Sequence, residues 1–232
     1  MNVAVILAGG IGSRLNSGLP KQFLEVKGRL IIEYTIDTFE QNELIDEILV
    51  VINPAYIHKM GEVVQNNQWR KVCQILPGGV ERYDSSMTAI QYYSGRKGVN
   101  LLFHDAVRPL VSPRIIQETI QALRNYSAVN VAIPAVDTII SVEGNFIDTV
   151  PDRSKLMRSQ TPQGFRLEVI EKAYRLAMQD PTFKSTDDCG VVLKYLPEEK
   201  IFIVRGEEIN MKLTYSEDIY LLERFILLRC HE

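Results

Sequence analysis

The sequence predicts an α/β protein with a three-layer, mostly parallel, Rossmann-like sheet and a protruding β-hairpin arm. Three observations predict it. Short apolar runs alternate with segments whose apolar residues recur at helical spacing. Several of these runs empty into loops rich in glycine or charge, as buried parallel strands do at their carboxyl ends. The rhythm is broken once, by two alternating runs around Glu143-Gly144-Asn145, which read as a hairpin.

The elements follow in order. Residues 3–7 are an apolar strand, and Ile31, Ile32, Thr35, Ile36 and Phe39 line one face of a helix. Residues 47–52 form a second strand, closed by Asn53-Pro54; 56–68 is a helix and 72–76 a third strand ending at Pro77-Gly78-Gly79. A helix over 84–93 is capped by Asp84 or Ser85, and 100–104 is the fourth strand. Ser112-Pro113 opens a helix reaching about residue 126, with serine as cap and proline in the first turn. Residues 128–133 make the fifth strand, 167–178 a helix, 200–204 a strand and 215–228 a final helix. The polar stretch 158–165 reads as a turn before a helix, and 185–190 as a helix N-terminus or a polyol contact. The hairpin, within an arm of about 138–156, cannot bury both its faces alone, so it points to a partner chain.

With 232 residues and 46% hydrophobic content, the chain can bury a sizeable core as one domain, 1–232. A formal charge of −3 gives no general attraction to nucleic acid. Cys73, Cys189 and Cys230 are too far apart for a zinc motif or a disulfide framework. No run approaches the ~20 apolar residues of a membrane span, and no signal peptide is visible, so a cytoplasmic location is expected.

The chemistry lies in the loops. Ala8-Gly9-Gly10-Ile11-Gly12-Ser13-Arg14 follows the first strand, with Pro20-Lys21-Gln22 shortly after. Glycines bring backbone N–H groups close to phosphate oxygens, and Arg14 and Lys21 add charge for a polyanion such as a nucleoside triphosphate. The loop lacks the Gly-Lys-Ser/Thr of a Walker A motif and the third glycine of a dinucleotide fingerprint. His104-Asp105-Ala106-Val107-Arg108-Pro109 places a carboxylate where magnesium held mainly by phosphate and water would need one, although an Asp–Arg pair can also simply close a strand end. Gly78-Gly79-Val80-Glu81-Arg82-Tyr83-Asp84-Ser85 allows close approach to a planar base, or is a plain loop and cap. Lys212, in Asn210-Met211-Lys212, is a phosphate contact or a solvated surface lysine.

These segments, with Gln160-Thr161-Pro162-Gln163, resemble in order and over nearly the whole chain the CTP-dependent cytidylyltransferases of polyol phosphates. The resemblance implies attack of a substrate phosphate on the α-phosphorus of CTP, release of pyrophosphate and no covalent enzyme intermediate. It implies Arg14, Lys21 and Lys212 as catalytic cations. Ala8, Gly9, Gly10, Gly12, Gly78, Arg82, Ser85 and Asp105 would bind the nucleotide, with Asp105 also holding Mg²⁺. Arg108, Thr138, Arg153, Thr186 and Asp187 would bind the polyol phosphate. It further implies a homodimer built by exchanging the arm, with Arg153 reaching the neighbouring subunit's substrate.

The acceptor is read from the arm. Asp137-Thr138 is followed by Ile139-Ile140-Ser141 rather than by a basic residue, and Val107 stands where methylerythritol enzymes favour alanine. Both features lean to ribitol 5-phosphate, with 2-C-methyl-D-erythritol 4-phosphate as the alternative. A sugar-1-phosphate nucleotidyltransferase and an inactive nucleotide-binding homologue are the more distant readings.

Overall fold

The computed structural model describes residues 1–10, 19–185 and 187–229. The chain runs β1 (Asn2–Ala8), β2 (Glu25–Val26), β3 (Arg29–Leu30), α1 (Ile31–Glu40), β4 (Glu47–Ile52), α2 (Ile57–Asn67), β5 (Val72–Pro77), α3 (Arg82–Tyr93), β6 (Asn100–Asp105), α4 (Pro113–Ala122) and β7 (Ala128–Pro134). It continues through β8 (Ser141–Glu143), β9 (Phe146–Thr149), β10 (Met157–Arg166), α5 (Leu167–Ala177), α6 (Asp188–Tyr195), β11 (Ile201–Arg205) and α7 (Glu217–Arg229). Seven of the described strands form one sheet in the order β11-β7-β10-β6-β1-β4-β5. β10 runs antiparallel to both β6 and β7, and the other neighbours pair in parallel.

The parallel centre follows from its sequence. β1, β4 and β6 are nearly continuous apolar runs, and their side chains are buried on both faces. On one face Ala4, Ile6, Ile48 and Val50 meet Ile32, Ile36 and Phe39 of α1, Met60 of α2 and Ile115 of α4. On the other, Val5, Leu49, Leu101 and Phe103 meet Ile90 and Tyr93 of α3, Ile170 and Ala173 of α5 and Val192 of α6. These are the three expected layers. α7 stands apart, packing Leu222 and Ile226 on Val26, Ile31 and Leu213.

The expected helices form with shifted ends. In α1 the buried residues are the five expected, Ile31, Ile32, Thr35, Ile36 and Phe39. α4 starts as read, with Ser112 Oγ accepting the N–H of Ile115 and Pro113 in the first turn. α3 begins earlier, at Arg82, so neither Asp84 nor Ser85 is its cap; Asp84 instead accepts the Glu81 N–H at 2.9 Å. Starting there brings Arg82 to the tip of the helix, beside the site.

The largest departure is β10. The stretch read as a turn is a ten-residue strand between β6 and β7, with residues 160–165 buried. A polar, proline-containing run does not look like a central strand. It is tolerated because its side chains are hydrogen-bonded internally and the register shifts between Gln160 and Gly164, around Pro162.

The hairpin is present but shorter than expected, with Ser141 opposite Thr149 and Glu143 opposite Phe146. Gly144 turns it at φ +59°, where a Cβ would be strained. Val142, Phe146, Ile147 and Val150 are exposed along it.

Phe103 lies at the middle of the sheet with no solvent contact and packs on Phe165. Phe103→Ala is expected to cost about 3–5 kcal/mol, because such a site cannot collapse around the void. Urea denaturation should show a lower midpoint with an unchanged m-value.

Candidate active site

The strand ends bring the loops together. Asp105 closes β6 opposite Leu7 of β1, and the Ala106 N–H donates to the Leu7 carbonyl at 3.0 Å. Gly9 follows β1, and Gly78 follows β5, its N–H on the Ile52 carbonyl at 2.7 Å. Ser85, buried in the first turns of α3, sits against both glycines. A Cβ on Gly78 would come within 2.7 Å of Ser85 Oγ, and one on Gly9 within 3.1 Å. Small residues are required here by close approach, which gives the pairing of Gly9 and Gly78 with Ser85 a physical basis.

Asp105 is the centre of the site. Its carboxylate lies 3.0 Å from Lys212 Nζ, 3.4 Å from Arg108 Nε and 3.8 Å from Arg82 Nε. Burial favours the neutral acid, but Lys212, Arg82 and Arg108 outweigh it and hold the carboxyl well below the usual carboxylate range. With Asp188, which also pairs with Arg82, the cluster holds two acids and three cations, two of them largely buried. The one positive charge in excess suits a polyanion.

Each cation is held from elsewhere. The segment carrying Lys212 is tied to the Asp105 loop: the Leu213 N–H donates to the Val107 carbonyl at 3.0 Å, and Arg108 Nη1 to the Asn210 carbonyl at 2.8 Å. Asn210, fully buried, donates to the Thr161 carbonyl at 2.9 Å. Lys21 Nζ donates to the Thr214 carbonyl, which joins the Pro20-Lys21-Gln22 segment to that of Lys212. Gln22 Nε2 donates to the carbonyls of Ala8, at 2.7 Å, and Gly10, at 3.3 Å, and so shapes the start of the glycine loop. The structure therefore joins the segments of Ala8, Gly9, Gly10, Lys21, Gly78, Arg82, Ser85, Asp105, Arg108 and Lys212. Gly12, Arg14 and Thr186 lie outside the described residues.

His104 and Thr161 back the site. Thr161 Oγ1 accepts the Asp105 N–H at 3.1 Å and lies 3.0 Å from His104 Nδ1, while His104 Nε2 lies 3.0 Å from the Arg108 carbonyl. A carbonyl only accepts, so Nε2 carries the proton and Nδ1 accepts the Thr161 hydroxyl. His104 is thus a supporting residue. Burial lowers its pKa to about 4.

Asp187 occupies the cap of α6. Its Oδ1 accepts the Gly190 N–H at 2.8 Å and its Oδ2 the Gln163 amide at 2.7 Å. Of the two readings of this stretch, the helix N-terminus is the one visible in the fold. Thr138 and Arg153 lie exposed on the arm, where Arg153 Nη1 donates to the Val136 carbonyl at 2.9 Å.

Four supporting residues carried no assigned role in the sequence: Gln22, Thr161, Gln163 and Asp188. All four lie inside segments already singled out, and that membership was the signal the sequence offered. Asp188 is fully buried and bonded to Arg82 and Tyr174, a pairing of residues 106 and 14 positions apart that no spacing rule reveals.

Among the described residues no group of three or more His, Cys, Asp or Glu is placed to hold a metal. Asp105 alone fits a hard dication that arrives with its phosphate oxygens, since magnesium commonly takes one or two carboxylates and leaves the rest to phosphate and water.

A family model described as 2-C-methyl-D-erythritol 4-phosphate cytidylyltransferase (IspD) matches residues 2–229. A protein named 2-C-methyl-D-erythritol 4-phosphate cytidylyltransferase from Thermobifida fusca is 43% identical over 96% of this chain and 92% of its own. A bifunctional ribulose 5-phosphate reductase/CDP-ribitol pyrophosphorylase from Haemophilus influenzae is 41% identical over 99% of this chain, which spans 49% of that protein. The crystal structure of 4-diphosphocytidyl-2C-methyl-D-erythritol synthase from Anaerococcus prevotii superposes with a TM-score of 0.84 at 29% identity, over 98% of this chain and 96% of that one. The chain belongs to the IspD family of CTP-dependent cytidylyltransferases. No helix among the described residues is long and apolar enough to cross a membrane.

The buried His104 gives a pH dependence with a definite sign. Between its unfolded value of 6.5 and about 4, the unfolded chain holds a proton that the folded chain does not. In magnesium-free buffer, stability in urea is expected to fall as pH drops through that window, by up to about 1.4 kcal/mol per pH unit. His104→Asn should flatten this slope; an undiminished slope would assign it to another group.

Proposed function

We propose that this enzyme transfers the cytidylyl group of CTP to 2-C-methyl-D-erythritol 4-phosphate, releasing pyrophosphate. The observation that carries the nucleotide half is the ring of Lys212, Arg82 and Arg108 around Asp105, beside the glycine loop at the strand ends. For the acceptor, the support comes from the family description and from the Thermobifida relative, matched over nearly its full length. The lean of the arm sequence towards ribitol 5-phosphate is set aside on that ground. Ribitol 5-phosphate stays as a second reading because the Haemophilus relative, named for CDP-ribitol, is almost as similar.

The chain's residues do the work by placement. A phosphate monoester is already a nucleophile, so no general base is needed, and catalysis rests on orientation and on charge set in advance. Lys21 and Lys212 serve the α-phosphate and the departing pyrophosphate, a role that Arg14, outside the described residues, takes from the family resemblance alone. Gly9 and Gly10 offer backbone N–H groups to the phosphates. Gly78 and Ser85 form a close wall for a small base, while Arg82 holds its charge beside the nucleotide. Magnesium, held by Asp105 when it enters with CTP, neutralises charge on the phosphates. Arg108 stands between the nucleotide and the acceptor, and Asp187, at the start of α6, is assigned to the acceptor.

The arm completes the site in a homodimer. Its exposed Val142, Phe146, Ile147 and Val150 are covered by the second copy, and Thr138 and Arg153 reach the substrate bound there.

The test is pyrophosphate release with CTP and Mg²⁺, with the two polyol phosphates compared side by side. A kcat/KM higher for methylerythritol phosphate is expected. A higher value for ribitol 5-phosphate would install the second reading, and turnover of glucose 1-phosphate alone would reject both. Arg153→Ala is expected to raise the acceptor KM by about tenfold or more, as loss of a charged hydrogen bond does, with the CTP KM near normal. An unchanged acceptor KM would remove Arg153 from the site.

A further inference from the structure

We propose that Asp188 is a positioning residue for nucleotide binding, which together with Tyr174 holds the Arg82 guanidinium beside Asp105 but off its carboxylate. This rests on the assignment of Arg82 and Asp105 to the CTP site.

Asp188 is the first residue of α6 and has no solvent exposure, so it touches no substrate. Its Oδ2 accepts Arg82 Nη1 at 2.5 Å, its Oδ1 accepts the Tyr174 hydroxyl at 2.6 Å, and its N–H donates to Gln163 Oε1 at 3.1 Å. A buried charge of this kind is poor value for stability, since well-packed apolar residues serve as well or better. What it supplies is a fixed anchor.

The anchor acts on one end of a two-ended group. Arg82 offers Nη1 to Asp188 and Nε to Asp105, the second contact at 3.8 Å. That gap is too long for a hydrogen bond, so Arg82 acts on Asp105 through charge while leaving Oδ1 open to a ligand. The planar fork of arginine serves the two acids from fixed, separate nitrogens, where a lysine would offer both a single point charge. Without the Asp188 charge, the guanidinium has Asp105 as its remaining acid partner among those described. It then closes on the oxygen that the nucleotide-bound cation needs.

Tyr174 and Gln163 fix the anchor in turn. The hydroxyl comes from α5 and the amide from β10, so the position of Asp188 is set by the core rather than by the loop that precedes it. Arg82 sits in the first turn of α3, directly after Gly78-Gly79. The link therefore runs from the body of the protein to the nucleotide loop through the Asp188 carboxylate, while Gln163, which also bonds Asp187, meets Asp188 at its main-chain N–H.

The test is a double-mutant cycle on the full-length enzyme. Wild type, Asp188→Asn, Arg82→Gln and the double variant are compared for kcat, the KM of CTP and of the acceptor, and MgCTP affinity by calorimetry. Urea midpoints identify variants that remain folded. Asp188→Asn is expected to raise the CTP KM and weaken MgCTP binding about tenfold, and to leave the acceptor KM within about twofold. In the Arg82→Gln background it should add less than about twofold. Equal effects in both backgrounds, or equal damage to both substrates, would overturn the assignment. If Asp188→Asn does not fold, Tyr174→Phe takes its place in the cycle, with a smaller effect in the same direction and the same loss of effect without Arg82. A wild type that neither binds nor turns over CTP would overturn the functional reading and this inference with it. An active wild type with additive variants would overturn the inference alone.

Discussion

The site depends on one electrostatic constraint: a single carboxylate, Asp105, buried among Lys212, Arg82 and Arg108. Asp105 and Arg108, both buried, depend on this pairing most, while Lys212 is half-exposed and Arg82 is also paired with Asp188. The acid is kept ionised by the bases, and the bases are kept close to one another by the acid. Burial lowers the Arg108 pKa despite Asp105, whereas Asp188 and Asp105 together overcome burial and raise that of Arg82. The cations thus stand closer than their mutual repulsion would otherwise allow. That closeness is what a triphosphate, with its own crowded charge, can use.

The fold exists to keep this cluster in register. β1 and β6 pair in parallel over their full lengths, which brings Ala8 and Asp105 to one rim. Lys212 comes from beyond β11, four strands away from β1 in the sheet, and is led back across that rim by main-chain contacts to Val107 and Arg108. β10 supplies Thr161 behind Asp105 and Gln163 behind Asp188. The reversed strand thus carries the polar scaffolding of the site, while the parallel strands carry its apolar base.

This division explains what could be read from residues alone. Apolar periodicity marked α1 down to its five buried side chains, and apolar runs marked β1, β4 and β6, because burial on both faces leaves a continuous signal. β10 gave no such signal: Gln160, Thr161 and Gln163 are buried, and hydrogen bonds to distant residues, not hydrophobicity, make that affordable. The start of α3 was misplaced because its reciprocal partner, Asp84 on the Glu81 N–H, sits inside the helix where a cap was sought before it. In the site, the charged and glycine residues were visible because they cluster directly after apolar strands, where the chain ends of a parallel sheet gather a ligand. Asp188 and Tyr174 were not, since a buried ion pair across 106 positions leaves no local trace. The acceptor was the weakest inference, because it leaned on Ile139-Ile140-Ser141 of the arm and on Val107, residue types with no chemistry that tells one polyol from another.

The distances along the chain between contacting groups have a further consequence. Lys21 meets Thr214 across 193 positions, Arg108 meets Asn210 across 102, and Arg82 meets Asp188 across 106. Contacts of such long range form late, after the intervening chain has lost its freedom. During synthesis, the cluster around Asp105 stays incomplete until the stretch past Lys212 has left the ribosome. A nascent or truncated chain can therefore own most of the sheet and yet lack the cage of charge.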